Sequence, residues 1–168
     1  MKNILFLLAL SVLLFGCAKK KQAVEYMKEA KAGIEQKKIP ETVKAYETLL
    51  SEFPDDSLAP EALYQLATLY QNKMVPNFND NVSMEKAVTL FRSVFDKYPD
   101  SKQTPISLFM AGFIQANDLK KYQEATATYN LFLQKYPNSD MASSAKDEIN
   151  NMGLTPEQII AKKEVSKK

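Results

Sequence analysis

The 168-residue chain contains no histidine and no tryptophan, one cysteine and only four glycines. Without histidine it lacks the side chain best suited to proton transfer near neutral pH and the commonest metal ligand. This absence excludes histidine-based catalytic triads and most zinc sites. A single cysteine excludes a disulfide within the chain, and so few glycines, beside eight prolines, disfavour a turn-rich sheet.

Neither sign of charge dominates the sequence. The 22 basic and 20 acidic residues are interspersed and leave a formal net charge of +2. Such a balance provides no broad field that attracts nucleic acid, so we predict no nucleic-acid partner. Hydrophobic residues make up 45% of the chain, an ordinary share for a globular domain. Together with the many Ala, Leu, Lys, Glu and Gln residues, this composition favours a single all-α domain.

The N-terminus has the pattern of an export signal. A basic start, MKN, precedes an apolar run over residues 4–15, which is shorter than the roughly 20 residues that span a bilayer. The run ends in LFGC, which resembles the lipobox of bacterial lipoproteins and places the lipidated cysteine at Cys17. The alternative is an ordinary secretory signal with a chance cysteine.

We therefore expect a signal peptide over residues 1–16 and a lipidated Cys17 with a short basic tether over residues 17–21. Acyl chains contribute about 0.8 kcal/mol per buried methylene, so several of them anchor a protein without a spanning helix. Because Ala18 rather than Asp follows the cysteine, the chain resembles lipoproteins that are passed on to the outer membrane. The resemblance implies an outer-membrane location facing the periplasm.

Three segments of the chain superpose: residues 42–55 (TVKAYETLLSEFPD), 87–100 (AVTLFRSVFDKYPD) and 125–138 (ATATYNLFLQKYPN). Each starts with a small residue, has an aromatic residue four positions later and apolar residues three and four positions after that, and closes with aromatic-Pro. These offsets lie on one face of a helix, and the proline prevents its continuation. Each segment is therefore predicted to be the second helix of a hairpin. The first helices precede them, over residues 22–37, 58–72 and 104–116.

The repeat is interrupted once. The closing prolines are Pro54, Pro99 and Pro137, so the intervals are 45 and 38 residues. We assign the seven extra residues to an Asn-rich loop over residues 72–83, within the second hairpin. After Pro137, residues 139–152 are predicted to form a capping first helix that stops at Gly153. Residues 154–168 are predicted to form a short helix and a basic tail.

This series of small, aromatic, aliphatic and proline residues is that of tetratricopeptide repeats, and the resemblance covers residues 22–153. It implies a right-handed superhelix of about three helical hairpins plus a capping helix. With the lipobox and the turns YPDS and YPNS, the chain is similar to the BamD-like lipoproteins of outer-membrane protein assembly and to YbgF-like proteins associated with Tol-Pal. The resemblance implies a scaffold, not an enzyme, that binds another envelope protein or peptide and needs no cofactor.

In repeat proteins of this type the first helix of each hairpin lines a concave groove. Aligning Leu66-Ala67 and Ala111-Gly112 with the Leu-Gly pair of the repeat directs seven side chains to that groove: Tyr64, Thr68, Gln71, Asn72, Phe109, Phe113 and Asn117. Phe109 and Phe113 lie one turn apart and could grip an apolar or extended peptide. Core packing is the alternative for both. Met27 and Lys31 have the equivalent positions in the first hairpin.

Other functions find less support in the sequence. The acidic stretch over residues 77–85 has oxygen ligands for calcium but lacks the spacing of an EF-hand, so a solvated loop is favoured. A carboxylate-only enzyme, such as a peptidoglycan hydrolase, needs two facing Asp or Glu residues, and no such pair is evident. A Tol-Pal or cell-wall adaptor, and a lipoprotein that assembles only with itself, stay open. We predict no catalytic residue, no metal and no small-molecule substrate.

Overall fold

A computed structural model describes residues 21–165. The expected signal peptide, Cys17 and the last three residues lie outside this range. The described part folds into eight α-helices and contains no strand: α1 Ala23–Glu35, α2 Ile39–Glu52, α3 Ala59–Gln71, α4 Asp80–Lys97, α5 Thr104–Asn117, α6 Tyr122–Lys135, α7 Ala142–Asn151 and α8 Pro156–Val165. The predicted all-α repeat fold is confirmed. None of these eight helices has the length and apolar content that crossing a bilayer requires.

The helices pair into three hairpins, α1–α2, α3–α4 and α5–α6, and α7 packs on α6 as the capping helix. In each second helix the small residue, the aromatic residue and the apolar residue three positions after it have no exposed surface. These residues are Thr42, Tyr46 and Leu49 in α2, Ala87, Phe91 and Val94 in α4, and Ala125, Tyr129 and Phe132 in α6. The repeat positions inferred from the sequence are therefore the centre of the core.

The aromatic-Pro pairs end the second helices as predicted. Phe53, Tyr98 and Tyr136 are the C-caps of α2, α4 and α6, and the proline after each cannot donate the next helical hydrogen bond. The hydroxyl of Tyr98 donates to the carbonyl of Pro54 at 2.9 Å. This bond joins the turn of the second hairpin to that of the first.

The extra residues of the second hairpin are divided between a loop and a longer helix. The prediction of a loop throughout residues 72–83 is wrong in its last part, because α4 begins at Asp80 and has 18 residues where α2 and α6 have 14. The side-chain oxygen of Asn79 accepts the Val82 N–H at 2.9 Å and caps α4. Asparagine favours loops and N-caps alike, and composition alone does not distinguish the two.

The signals for the remaining helix ends lie where the sequence places them. Pro60 and Pro105 occupy the first turns of α3 and α5, where a missing N–H costs nothing. Gly153 follows α7 with a left-handed φ of 77°. Thr155 and Gln158 cap α8 reciprocally, with the Thr155 N–H donating to Gln158 Oε1 at 2.8 Å and the Gln158 N–H to Thr155 Oγ1 at 3.3 Å.

Candidate binding surface

Helix α5 connects the two halves of the core. Ala111 and Ile114 belong to a hydrophobic cluster shared with α1–α4, whereas Leu108 and Ala116 belong to a second cluster shared with α6 and α7. The sequence of α5, TPISLFMAGFIQAN, contains no charged residue. An amphipathic helix on a protein surface normally turns a charged or polar face to solvent. Helix α5 therefore has an apolar face beyond those that the core covers.

This face of α5 has a counterpart on α3, and the two helices are in contact. On α3 the half-buried side chains are polar for the most part: Glu61, Tyr64, Gln65 and Thr68. At the same positions of the next repeat, 45 residues later, α5 places Ile106, Phe109, Met110 and Phe113, which are also half-buried. We call these eight residues the α3–α5 face. At equivalent positions of the repeat, the side chains of this face are mostly polar on α3 and apolar on α5.

Tyr64 and Phe109 occupy equivalent positions, and both rings pack on the second helix of their own hairpin. The ring centroid of Tyr64 lies 5.6 Å from that of Phe91. The ring of Phe109 lies 5.4 Å from Tyr129 and 5.8 Å from Phe132, edge to face in each case. Both residues keep part of their surface exposed, so they border the face while also completing the core.

The other predicted groove residues lie further out. Thr68 is half-buried and its hydroxyl donates to the Tyr64 carbonyl at 3.0 Å, within the helix. Phe113, one turn beyond Phe109, is half-buried and makes no ring–ring contact within residues 21–165. Gln71 is half-buried near the end of α3, and Asn72 is its exposed C-cap. Tyr64 and Thr68 of α3 thus have the positions that Phe109 and Phe113 have in α5, and Asn72 lies at the end of α3.

Asn117 extends the surface towards the capping helix. Its side-chain amide donates to the Phe113 carbonyl and to Glu148 Oε2, both at 3.2 Å. Glu148 belongs to α7, so this amide connects α5 with the next first helix. The bond fixes the end of the face that lies beside Phe113.

The predicted register in α1 is displaced by one residue. Met27 is 4% exposed and belongs to the core, whereas an equivalent of Tyr64 should be part of the surface. Helices α1 and α3 end in the same type of C-cap, at Gln36 and Asn72. Counting back eight residues from each cap pairs Tyr64 with Lys28. The sequence alignment of the repeats rests on the second helices. It therefore does not show how short the connection between α1 and α2 is, and this length sets the register of α1.

Glu61 forms a polar corner at the start of the face. Its carboxylate accepts hydrogen bonds from Gln65 Nε2 at 2.9 Å and from Gln103 Nε2 at 2.5 Å. Burial opposes ionisation, but these two bonds and the nearby Lys31 and Lys102 outweigh it, and the pKa of Glu61 lies below its usual value. A cavity of about 490 Å³ opens beside this corner, and Lys31 and Lys102 both line it. The corner can recognise polar groups next to an apolar surface.

The acidic stretch over residues 77–85 is engaged in contacts within the protein. Asp80 pairs with Lys73, and Glu85 with Lys121, both at 2.5 Å. No group of three or more Asp, Glu, Cys or His side chains is arranged to hold a metal ion in the part of the chain that the structure describes. The two pairs join the loop after α3 to the start of α4, and α4 to the N-cap of α6.

Two stretches of the chain, residues 61–101 and 107–139, match the protein-family model of the tetratricopeptide repeat. These two stretches are similar to tetratricopeptide repeats. The matched stretches correspond to the second and third hairpins, whose first helices form the α3–α5 face. A search of curated proteins finds no match to the chain. The tetratricopeptide-repeat fold typically serves as a protein-binding scaffold.

Sequence reasoning missed four residues of the face, Glu61, Gln65, Ile106 and Met110, and the Glu61–Gln103 contact. The four lie three positions before, or one position after, Tyr64 and Phe109 on the same helices, so helical spacing from the predicted residues could have found them. The Glu61–Gln103 hydrogen bond joins residues 42 positions apart, and no local pattern indicates it.

Proposed function

We propose that this chain is a lipid-anchored scaffold of the cell envelope that binds another envelope protein, or a peptide segment of one, through the α3–α5 face. The tetratricopeptide repeats support the binding role. The lipobox ending at Cys17 supports the anchor and, with Ala18 after it, an outer-membrane location. The resemblance to BamD-like lipoproteins favours a role in outer-membrane protein assembly.

The observation that carries the binding role is the change of chemistry across the α3–α5 face. Half-buried Ile106, Met110 and Phe113 stand beside polar Glu61 and Thr68 on the neighbouring helix. An apolar surface of this kind, bordered by polar groups, is typical of a protein-binding site. The partner segment that fits it has apolar side chains over α5 and polar groups over α3.

Site-specific photo-crosslinking in cells tests this proposal. A photoreactive residue is placed at Met110 or Phe113, and, as a matched control, at Ala127, which is exposed on α6 of the same hairpin. We expect one protein adduct from positions 110 and 113 and none from position 127. Equal adducts from all three positions, or no adduct from 110 and 113, would refute binding through this face.

A further inference from the structure

Most exposed large apolar side chains lie in two stretches, one in the second hairpin and one over residues 154–165. Of the eight large hydrophobic residues that are exposed among residues 21–165, three come from one stretch of nine residues: Met74 at 39%, Phe78 at 38% and Val82 at 41%. This stretch is the part that the other hairpins lack. We call these three residues the second-hairpin patch.

The patch continues into an apolar groove between α2 and α4. The groove has a volume of about 410 Å³, and Leu66, Tyr70, Val82 and Leu90 form much of its lining. The ring of Phe78 stands edge-on to that of Tyr70 at 5.5 Å. The exposed side chains are therefore held on a structured apolar floor.

Lysines border this apolar surface. The Lys86 ammonium lies 5.0 Å from the ring centre of Phe78 and 5.6 Å from that of Tyr70. Two neighbouring carboxylates are already paired, Asp80 with Lys73 and Glu85 with Lys121, and Glu47 lines the far side of the groove on α2. A lysine whose ammonium lies over aromatic rings suits the boundary between lipid tails and headgroups, because its long side chain can keep the charge among the headgroups while the rings contact the tails.

The patch and the α3–α5 face lie on opposite sides of α3. Leu66 and Tyr70, which line the groove, each follow a face residue, Tyr64 and Thr68, by two positions. Two residues correspond to about 200° around an α-helix. A surface that covers the patch therefore leaves the α3–α5 face open.

The expected anchor is close enough to share one membrane with the patch. Ala23, the first residue of α1, is six positions after Cys17, and an extended chain covers about 20 Å over that distance. Helix α3 runs in the same direction as α1 and is about 20 Å long, and the patch follows its C-terminal end. A bilayer along these helices can hold the lipid at one end and receive the patch at the other.

We propose that the second-hairpin patch inserts shallowly into a phospholipid surface and orients the scaffold with its α3–α5 face turned away from the membrane. This orientation rests on the proposed lipid anchor, whereas the insertion itself does not require it. Phe78 and Met74 enter the interfacial region, and Lys73 and Lys86 stay among the headgroups.

The absence of tryptophan makes the test direct. The protein used is the chain from residue 18 onwards, which lacks the anchor and retains both core clusters. In this protein Phe78→Trp introduces a single tryptophan as a fluorescent reporter. Tyr122→Trp is the matched control, because Tyr122 is an aromatic residue of α6 that is 41% exposed. With vesicles of equal parts phosphatidylethanolamine and phosphatidylglycerol, we expect the emission of the Phe78→Trp variant to shift to the blue and to be quenched by brominated lipids. The control is expected to do neither.

Identical behaviour of the two reporters, or no change at position 78, would overturn the proposal. Val82→Trp is a second reporter if Phe78→Trp lowers the thermal stability. The double variant Met74→Ser, Phe78→Ser, followed by vesicle flotation, is expected to lose roughly tenfold in partitioning, and unchanged partitioning would also count against insertion. Because the chain tested carries no lipid, a negative result does not contradict the proposed lipid anchor or the proposed binding through the α3–α5 face.

Discussion

A β-carbon added to Gly33 of α1 would lie 2.3 Å from the hydroxyl oxygen of Thr42 in α2. The two helices of the first hairpin therefore approach at a point where a second side chain has no room. The Thr42 hydroxyl is held in place because it donates to the Lys38 carbonyl at 2.9 Å. The other hairpins have Ala87 and Ala125 at the Thr42 position, so alanine is acceptable there.

Gly33→Ala is expected to lower the free energy of unfolding by about 1 to 3 kcal/mol through overpacking, although alanine is the better helix former. In a Thr42→Ala background the obstructing hydroxyl is gone, and the same change should cost much less. Urea denaturation of the four proteins of this double-mutant cycle measures the difference. An equal cost in both backgrounds would show that Thr42 does not limit the approach.

Tyr46 and Tyr129 bury hydroxyls that have no hydrogen-bond partner among the described residues, while Phe91 fills the same repeat position in the second hairpin. Tyr46→Phe removes an unpaired polar group from the core, so we expect the free energy of unfolding to rise by roughly 0.5 to 2 kcal/mol. Phe91→Tyr is the reverse change and should lower it. Thermal melts compare the two, and a clear loss of stability in Tyr46→Phe would contradict the interpretation.

The same hydroxyl predicts a dependence on alkaline pH. Burial raises the pKa of Tyr46 to about 12, with the negative charge of Glu61 adding to the effect. In the unfolded chain the pKa is about 10, so ionisation there favours unfolding. The contribution of the un-ionised Tyr46 hydroxyl to the free energy of unfolding is fully present below about pH 10 and is lost as the pH rises through the folded pKa. Urea denaturation at about pH 9 and about pH 11 should show a smaller decrease for Tyr46→Phe, and equal decreases would exclude this source.

Much of the fold could be predicted because its signals are local. The small and aromatic positions of α4 and α6, such as Ala87 and Tyr129, follow from helical spacing, and the helix ends follow from proline. The start of α4 at Asp80 could not be predicted from the Asn-rich composition, since Asn79 is an N-cap and not a loop residue. The position of Met27 cannot be predicted for a related reason. The register of α1 depends on the length of the connection between α1 and α2, and the repeat pattern does not show that length.

The sequence predicts only part of the surface described above. The positions of Tyr64 and Phe109 followed from the repeat, but spacing does not reveal that both rings also complete the core. The Glu61–Gln103 contact depends on how two successive hairpins pack. Such contacts between repeats are a property of the superhelix and are not encoded in any single segment.

The proposed lipid anchor depends on one thiol. Cys17→Ser removes the nucleophile that the lipid requires, so we expect the variant to lose signal processing and to leave the membrane fraction. Cell fractionation and the apparent mass of the product measure both effects. Ser11→Ala, within the apolar run, is a control that should leave processing intact. Retention of Cys17→Ser in the membrane at the level of the unaltered protein would contradict the lipoprotein proposal.

The two phenylalanines of α5 are expected to differ in their roles. Phe109→Ser removes a ring that packs on Tyr129 and Phe132, and we expect a loss of about 2 to 3 kcal/mol, less than the 3 to 5 kcal/mol typical of a fully buried phenylalanine. Phe113 makes no such ring contact within residues 21–165, so Phe113→Ser should cost less than about 1 kcal/mol. Thermal melts of the two single variants measure this difference.

Partner capture should show the reverse order. An aromatic residue at the centre of an interface often contributes 2 kcal/mol or more, so its removal lowers the affinity roughly thirtyfold. Phe113→Ser should therefore abolish the adduct formed from a photoreactive residue at Met110 while the protein still melts normally. Phe113→Leu keeps an apolar surface and should retain part of the adduct. If Phe113→Ser instead unfolded the protein, Phe113 would belong to the core, and binding would have to involve another face of the repeats.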